Sequence, residues 1–187
     1  MKIAILGAMD EEISLIHSML VDVTEKKVGH LTAYVGSLNG VNIALVKCGI
    51  GKVAAAVSTT LLINEFAPDY VINTGSAGGF SKERIIGDIV IATELRHHDA
   101  DLTFFGYEMG QCAGMPAQYH CDPKLLKCAV EAMEKLSDVG FESGLICTGD
   151  SFVGSDEGAA LIRYNFPQVG AVEISPVRPP LSRLRPI

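Results

Sequence analysis

Apolar positions follow two rhythms along this chain, runs of a few consecutive residues and stripes at helical spacing. Residues 2–6 form a short apolar run that predicts a strand buried on both faces. Gly7-Ala8-Met9 turns that run into a helix starting near Asp10, with Ile13, Ile16 and Leu20 on one side. Asp10, Glu11 and Glu12 fall in its first turn, where the helix dipole favours negative charge. Residues 31–38 and 41–48 flank Asn39-Gly40, both of which tolerate positive φ, so a hairpin is expected there. Gly49-Ile50-Gly51 leads into a helix over about 52–66, with Val53, Val57, Leu61 and Asn64 along one stripe.

A strand over 69–74 ends in the turn Gly75-Ser76-Ala77-Gly78-Gly79. Further strands are expected over 87–93, 144–148 and 169–173. A helix over 124–136 aligns Leu125, Ala129, Met133 and Leu136, and another lies around 157–165. Alternation of short apolar runs with helical patterns predicts an α/β fold. With no internal repeat and no linker composition, residues 1–173 read as one domain. The tail over 174–187 is different, with Pro176, Pro179, Pro180 and Pro186 among Arg178, Arg183 and Arg185. That proline density excludes a helix interior or a central strand, and the tail is expected to be disordered.

Composition narrows the function. The chain has 187 residues, 48% hydrophobic and 20% charged, the balance of a globular protein with a sizeable core. Its net charge of -7 argues against binding nucleic acid, which needs a basic face. The first apolar run is stopped by Asp10-Glu11-Glu12, so neither a membrane span nor a signal peptide is expected. The 5 cysteines are scattered with no C-x-x-C pair, which fits idle or buried thiols in a reducing cytoplasm.

Gly49-Ile50-Gly51-Lys52 is not a phosphate loop: the motif would need glycine at Val46 and a hydroxyl at Val53. The strand-loop-helix context still allows either a ligand-facing turn or a purely structural one. His97-His98-Asp99-Ala100-Asp101 has the composition of a metal cluster. On an extended chain, however, adjacent histidines point to opposite faces, so no metal is expected. Glu11 and Glu12 can be ordinary N-terminal charges, or one can face the crevice at the strand's carboxyl end, where open α/β sheets bind ligands. Glycine-bearing turns follow strands in the same way at Gly49-Ile50-Gly51, Gly75–Gly79 and Gly149-Asp150, which suggests a small-molecule pocket.

Four strings taken together narrow the field: Gly7-Ala8-Met9-Asp10-Glu11-Glu12, Gly49-Ile50-Gly51-Lys52-Val53-Ala54-Ala55-Ala56, Asn73-Thr74-Gly75-Ser76-Ala77-Gly78-Gly79 and His98-Asp99-Ala100-Asp101. In this order and spacing, residues 1–173 resemble the bacterial 5′-methylthioadenosine/S-adenosylhomocysteine nucleosidases. The resemblance implies a three-layer α/β/α sandwich of the purine nucleoside phosphorylase type, a homodimer, no cofactor, and hydrolysis of the bond between adenine and a 5′-thio-substituted ribose. It implies that Glu12 is the base that positions and activates water. Gly78, Phe152 and Val153 match adenine-binding positions, and Ser76 matches a residue that helps orient the catalytic acid. Met9, Ile50 and Phe105 match the apolar lining for the 5′-thio group, Phe105 reaching in from the partner subunit. Two other readings compete: a phosphate-using purine nucleoside phosphorylase, which Asp10, Glu11 and Glu12 disfavour by repelling phosphate, and a non-catalytic nucleoside-binding or dimerisation partner.

The resemblance stops after Ala171-Val172-Glu173. The family continues with a methionine and a second glutamate that binds the ribose; this chain reads Ile174-Ser175-Pro176, with Ile174 at the substrate-binding methionine's place. The family then supplies the aspartate that protonates adenine, whereas no Asp or Glu follows Glu173 here. The expectation is a C-terminally truncated fold with a frameshifted or aberrant end, inactive or weakly active as written.

Overall fold

The structure, a computed structural model, describes residues 1–173 except Lys82. These residues group into two compact units that meet between Ser76 and Ala77, inside the glycine-rich turn. No shift in composition marks that boundary.

The first unit contains β1 (Lys2–Gly7), α1 (Asp10–Met19), β2 (Val21–Val28), β3 (Leu31–Leu38), β4 (Val41–Lys47), α2 (Lys52–Phe66) and β5 (Tyr70–Asn73). Its sheet runs β2-β3-β4-β1-β5. β1 pairs in parallel with both β4 and β5, while β2, β3 and β4 form an antiparallel meander. The continuous apolar run of β1 is explained by its central place. Ala4 and Leu6 join Val46 and Leu62 in one core cluster, while Ile5 joins Ile13, Ile43 and Leu45 in another. The strand's alternation thus feeds a core on each face of the sheet.

The expected hairpin is present, and Asn39 (φ 49°) and Gly40 (φ 79°) carry the positive φ values its turn needs. Strand β2 is not visible in the hydrophobic pattern. It is an edge strand, exposed at every position but Val28, and its Asp22, Glu25, Lys26 and Lys27 suit an edge that must not pair with other chains. Helix α2 has the expected bounds but not the expected face. Leu62 and Ser58 are fully buried, whereas Val53 is 74% exposed and Val57 43%. Apolar residues surround this helix on all sides, so periodicity alone picks the wrong stripe.

The second unit contains β6 (Gly78–Gly79), β7 (Ile89–His97), β8 (Tyr119–His120), α3 (Pro123–Met133), β9 (Phe141–Thr148), α4 (Asp156–Asn165) and β10 (Val169–Val172). Its sheet runs β6-β10-β9-β7-β8, with β7, β9 and β10 parallel and the two short outer strands antiparallel. Leu145, Cys147, Ile162, Phe166 and Val172 form its core. Strand β7 continues four residues beyond the expected end at Thr93, because the charges that break the apolar pattern neutralise each other: Arg96 Nε donates to Glu94 Oε1 at 3.0 Å. Helix α3 begins at a sound cap, the Asp122 carboxylate accepting from the Lys124 and Leu125 amides, and ends at Met133. Leu136 therefore lies beyond the helix and is 53% exposed, off the buried stripe expected of it. Residues 174–187, including Ile174 and the expected disordered tail, lie outside the described residues.

Candidate active site

The parallel strands β4, β1 and β5 end at one edge of the first sheet, and each continues into a turn: Cys48–Gly51, Ala8-Met9 and Thr74–Ser76. Backbone bonds knit these turns to β1, the Cys48 amide donating to the Gly7 carbonyl and the Thr74 amide to the Leu6 carbonyl, both at 2.9 Å. This is the edge where parallel α/β sheets gather ligand-binding groups.

Glu12 sits at the third position of α1, half-buried, and its carboxylate is held from two sides. Oε2 accepts from the amides of Ala8 (2.7 Å) and Met9 (3.2 Å). The Met9 bond is the ordinary back-reach of a helix's third residue to its N-cap. Oε1 accepts from the amide and the hydroxyl of Ser76 (2.8 and 2.9 Å), which capping does not explain. All four partners are donors, and they match the roughly four lone-pair positions of an ionised carboxylate. Glycine is required around this arrangement. A Cβ on Gly75 would lie 2.8 Å from Glu12 Oε1, and one on Gly7 would lie 2.6 Å from Ile13 Cγ2.

Beside Glu12, residues Ala8, Met9, Asp10, Glu11, Lys47, Gly49 and Ile50 line an open concavity of about 390 Å³. Met9 and Ile50 give it an apolar wall. Lys47 Nζ donates to Asp10 Oδ2 at 2.7 Å, and this bond raises the lysine above its ordinary titration range. The structure thus brings Glu12, Ser76, Met9 and Ile50 to one sheet edge. In the second unit, Gly78 is buried in β6, and Phe152 (68% exposed) and Val153 lie in the loop between β9 and α4. Phe105, 71% exposed, meets Phe104 edge-to-face in a 3₁₀ turn. Gly75, the Ala8 amide and Lys47 were not singled out from the sequence. Gly75 lies within a turn that was noted, but nothing in the letters shows that a carboxylate packs against it.

Among the described residues no group of three or more His, Cys, Asp or Glu could hold a metal ion, and no helix is long and apolar enough to cross a membrane.

Residues 2–175 match the family model of the phosphorylase superfamily. The 5′-methylthioadenosine/S-adenosylhomocysteine nucleosidase of Lysinibacillus sphaericus is 47% identical over 174 residues, covering 93% of this chain and 76% of the relative. The chain belongs to the 5′-methylthioadenosine/S-adenosylhomocysteine nucleosidase family. The nucleosidase of Anoxybacillus flavithermus is 48% identical, covering 93% of this chain and 75% of the relative. The crystal structure of the Neisseria meningitidis nucleosidase with methylthio-immucillin-A superposes with a TM-score of 0.90 at 47% identity, covering 94% of this chain and 76% of that one. The Colwellia psychrerythraea nucleosidase with adenine gives a TM-score of 0.91 at 44% identity, covering 94% and 73%. The fold is therefore the α/β type of the nucleoside phosphorylases and nucleosidases.

Proposed function

We propose that this chain is a nucleosidase that hydrolyses the N-glycosidic bond of 5′-methylthioadenosine and S-adenosylhomocysteine to release adenine. The observation that carries the reading is the Glu12 carboxylate, fixed by four donors at the ligand-binding edge of the sheet. Cleavage passes through an oxocarbenium-like sugar, so water must be aimed at the anomeric carbon by a fixed base. Glu12 is that base. Its lone-pair positions are filled at rest, so water must replace one donor. The Ser76 hydroxyl is the partner that can turn aside, since the other three are backbone amides. Ser76 thus holds Glu12 in place until water arrives. Gly78, Phe152 and Val153 are assigned to the adenine, and Met9, Ile50 and Phe105 to the 5′-thio group.

Water is the nucleophile because Asp10 and Glu11 flank the concavity and would repel inorganic phosphate. Residues 1–173 constitute the nucleosidase domain. A cytoplasmic homodimer is the working assembly, supported by the exposure of Phe104 (92%) and Phe105 (71%), aromatic side chains that a second copy would cover. Calorimetry with methylthioadenosine, paired with an adenine-release assay with and without phosphate, tests the reading. Binding with phosphate-independent release is expected. Phosphate-dependent release would make the chain a phosphorylase, and failure to bind would remove the site.

A further inference from the structure

The pair formed by Lys47 and Asp10 has no part in the chemistry at Glu12, yet it lines the same concavity as Met9 and Ile50. Lys47 ends β4 and Asp10 opens α1, and both side chains are well exposed, 48% and 74%. An exposed ion pair contributes little to stability, about 0 to 1 kcal/mol, so a ligand can share or open it at small cost. The lining therefore combines apolar Met9 and Ile50 with an ammonium beside two carboxylates, Asp10 and Glu11.

We propose that Lys47, with Asp10 and Glu11, recognises the α-amino acid end of S-adenosylhomocysteine, and so sets the balance between the two substrates. The assignment rests on the nucleosidase reading of the site. The chemistry of the ligand follows that of the lining: a thioether for Met9 and Ile50, a zwitterion for the charges. The Lys47 ammonium carries three N–H donors, and one bond to Asp10 leaves others for the ligand carboxylate. Asp10 Oδ1 and the Glu11 carboxylate can accept from the ligand ammonium. Two acids against one base disfavour a simple anion, so a phosphate or a dicarboxylate would be rejected where a zwitterion is held. Methylthioadenosine ends at its methyl group and makes none of these contacts.

The test is the ratio of S-adenosylhomocysteine to methylthioadenosine affinity, measured by calorimetry on the full chain. In Lys47→Met this ratio should fall about two- to fivefold, and Lys47→Arg should restore most of it. The methyl ester of S-adenosylhomocysteine, which lacks the carboxylate, should bind the unmodified chain about two- to fivefold less tightly than the acid. That difference should vanish in Lys47→Met. If the pair were only a clip between α1 and β4, Lys47→Met would weaken both nucleosides alike and leave the ratio unchanged. An unchanged ratio, or an ester that binds the unmodified chain as well as the acid, overturns the proposal alone. Failure of methylthioadenosine itself to bind overturns the nucleosidase reading, and this proposal with it.

Discussion

Four donors around one carboxylate decide which substitutions Glu12 tolerates. Glu12→Gln replaces one acceptor oxygen with an NH₂ group, which must face either the two amides at Oε2 or the two Ser76 donors at Oε1. Donors facing donors in a half-buried site cost about 1–3 kcal/mol. The variant should therefore lose stability by that amount in urea unfolding, along with any adenine release above background. Unchanged stability would mean that the four bonds do not persist in solution. Gly75→Ala attacks the same arrangement by volume, since its methyl group would lie 2.8 Å from an oxygen that four bonds hold still. Cys147 gives a residue-scale test of the second core. Burial pushes its thiol up from 9.0 to about 12. A raised thiol pKa favours the folded state below about pH 9, and that contribution is lost as pH climbs toward 12. At pH 9 only about one such thiol in a thousand is ionised. Iodoacetamide should thus label exposed Cys128 in the folded protein and reach Cys147 only after unfolding. Equal labelling of both thiols, read by mass spectrometry, would contradict the packing.

Helix α2 shows where an element can be legible in extent and illegible in orientation. Its bounds follow from Gly51 before it and from Ala67 after it, which takes the left-handed conformation (φ 43°). Its face cannot be read, because valine, alanine, leucine and isoleucine occupy every side and only the sheet chooses among them. That choice is testable. Leu62→Ala, at a fully buried position, should cost about 2–5 kcal/mol. Val53→Ala, at a position 74% exposed, should stay within about 0.5 kcal/mol. Urea midpoints that reversed this order would restore the stripe expected from periodicity. Strand β2 was missed for the opposite reason: its charges protect an edge and leave no apolar alternation to follow. The hairpin at Asn39-Gly40 was plain because turn chemistry is local, whereas the pairing of Arg96 with Glu94 depends on a side-chain contact that the alternation of apolar positions does not record.

At the scale of the whole molecule, the site was legible in proportion to how local its physics is. Glu12 stands out as an acid after a strand, at the crevice edge of an α/β sheet. Its bonds to Ser76 span 64 residues and follow only from the sheet order. Phe152, Val153 and Phe105 carry no local signal at all, and only the family resemblance singles them out. The same resemblance gives the sharpest prediction for the molecule as a whole. Hydrolysis needs a base for water, the role proposed for Glu12, and a site that admits water rather than phosphate. Adenine release should not respond to added phosphate, because Asp10 and Glu11 flank the concavity and repel the anion. Release that rises with added phosphate in the same assay would show that these two carboxylates do not keep the anion out.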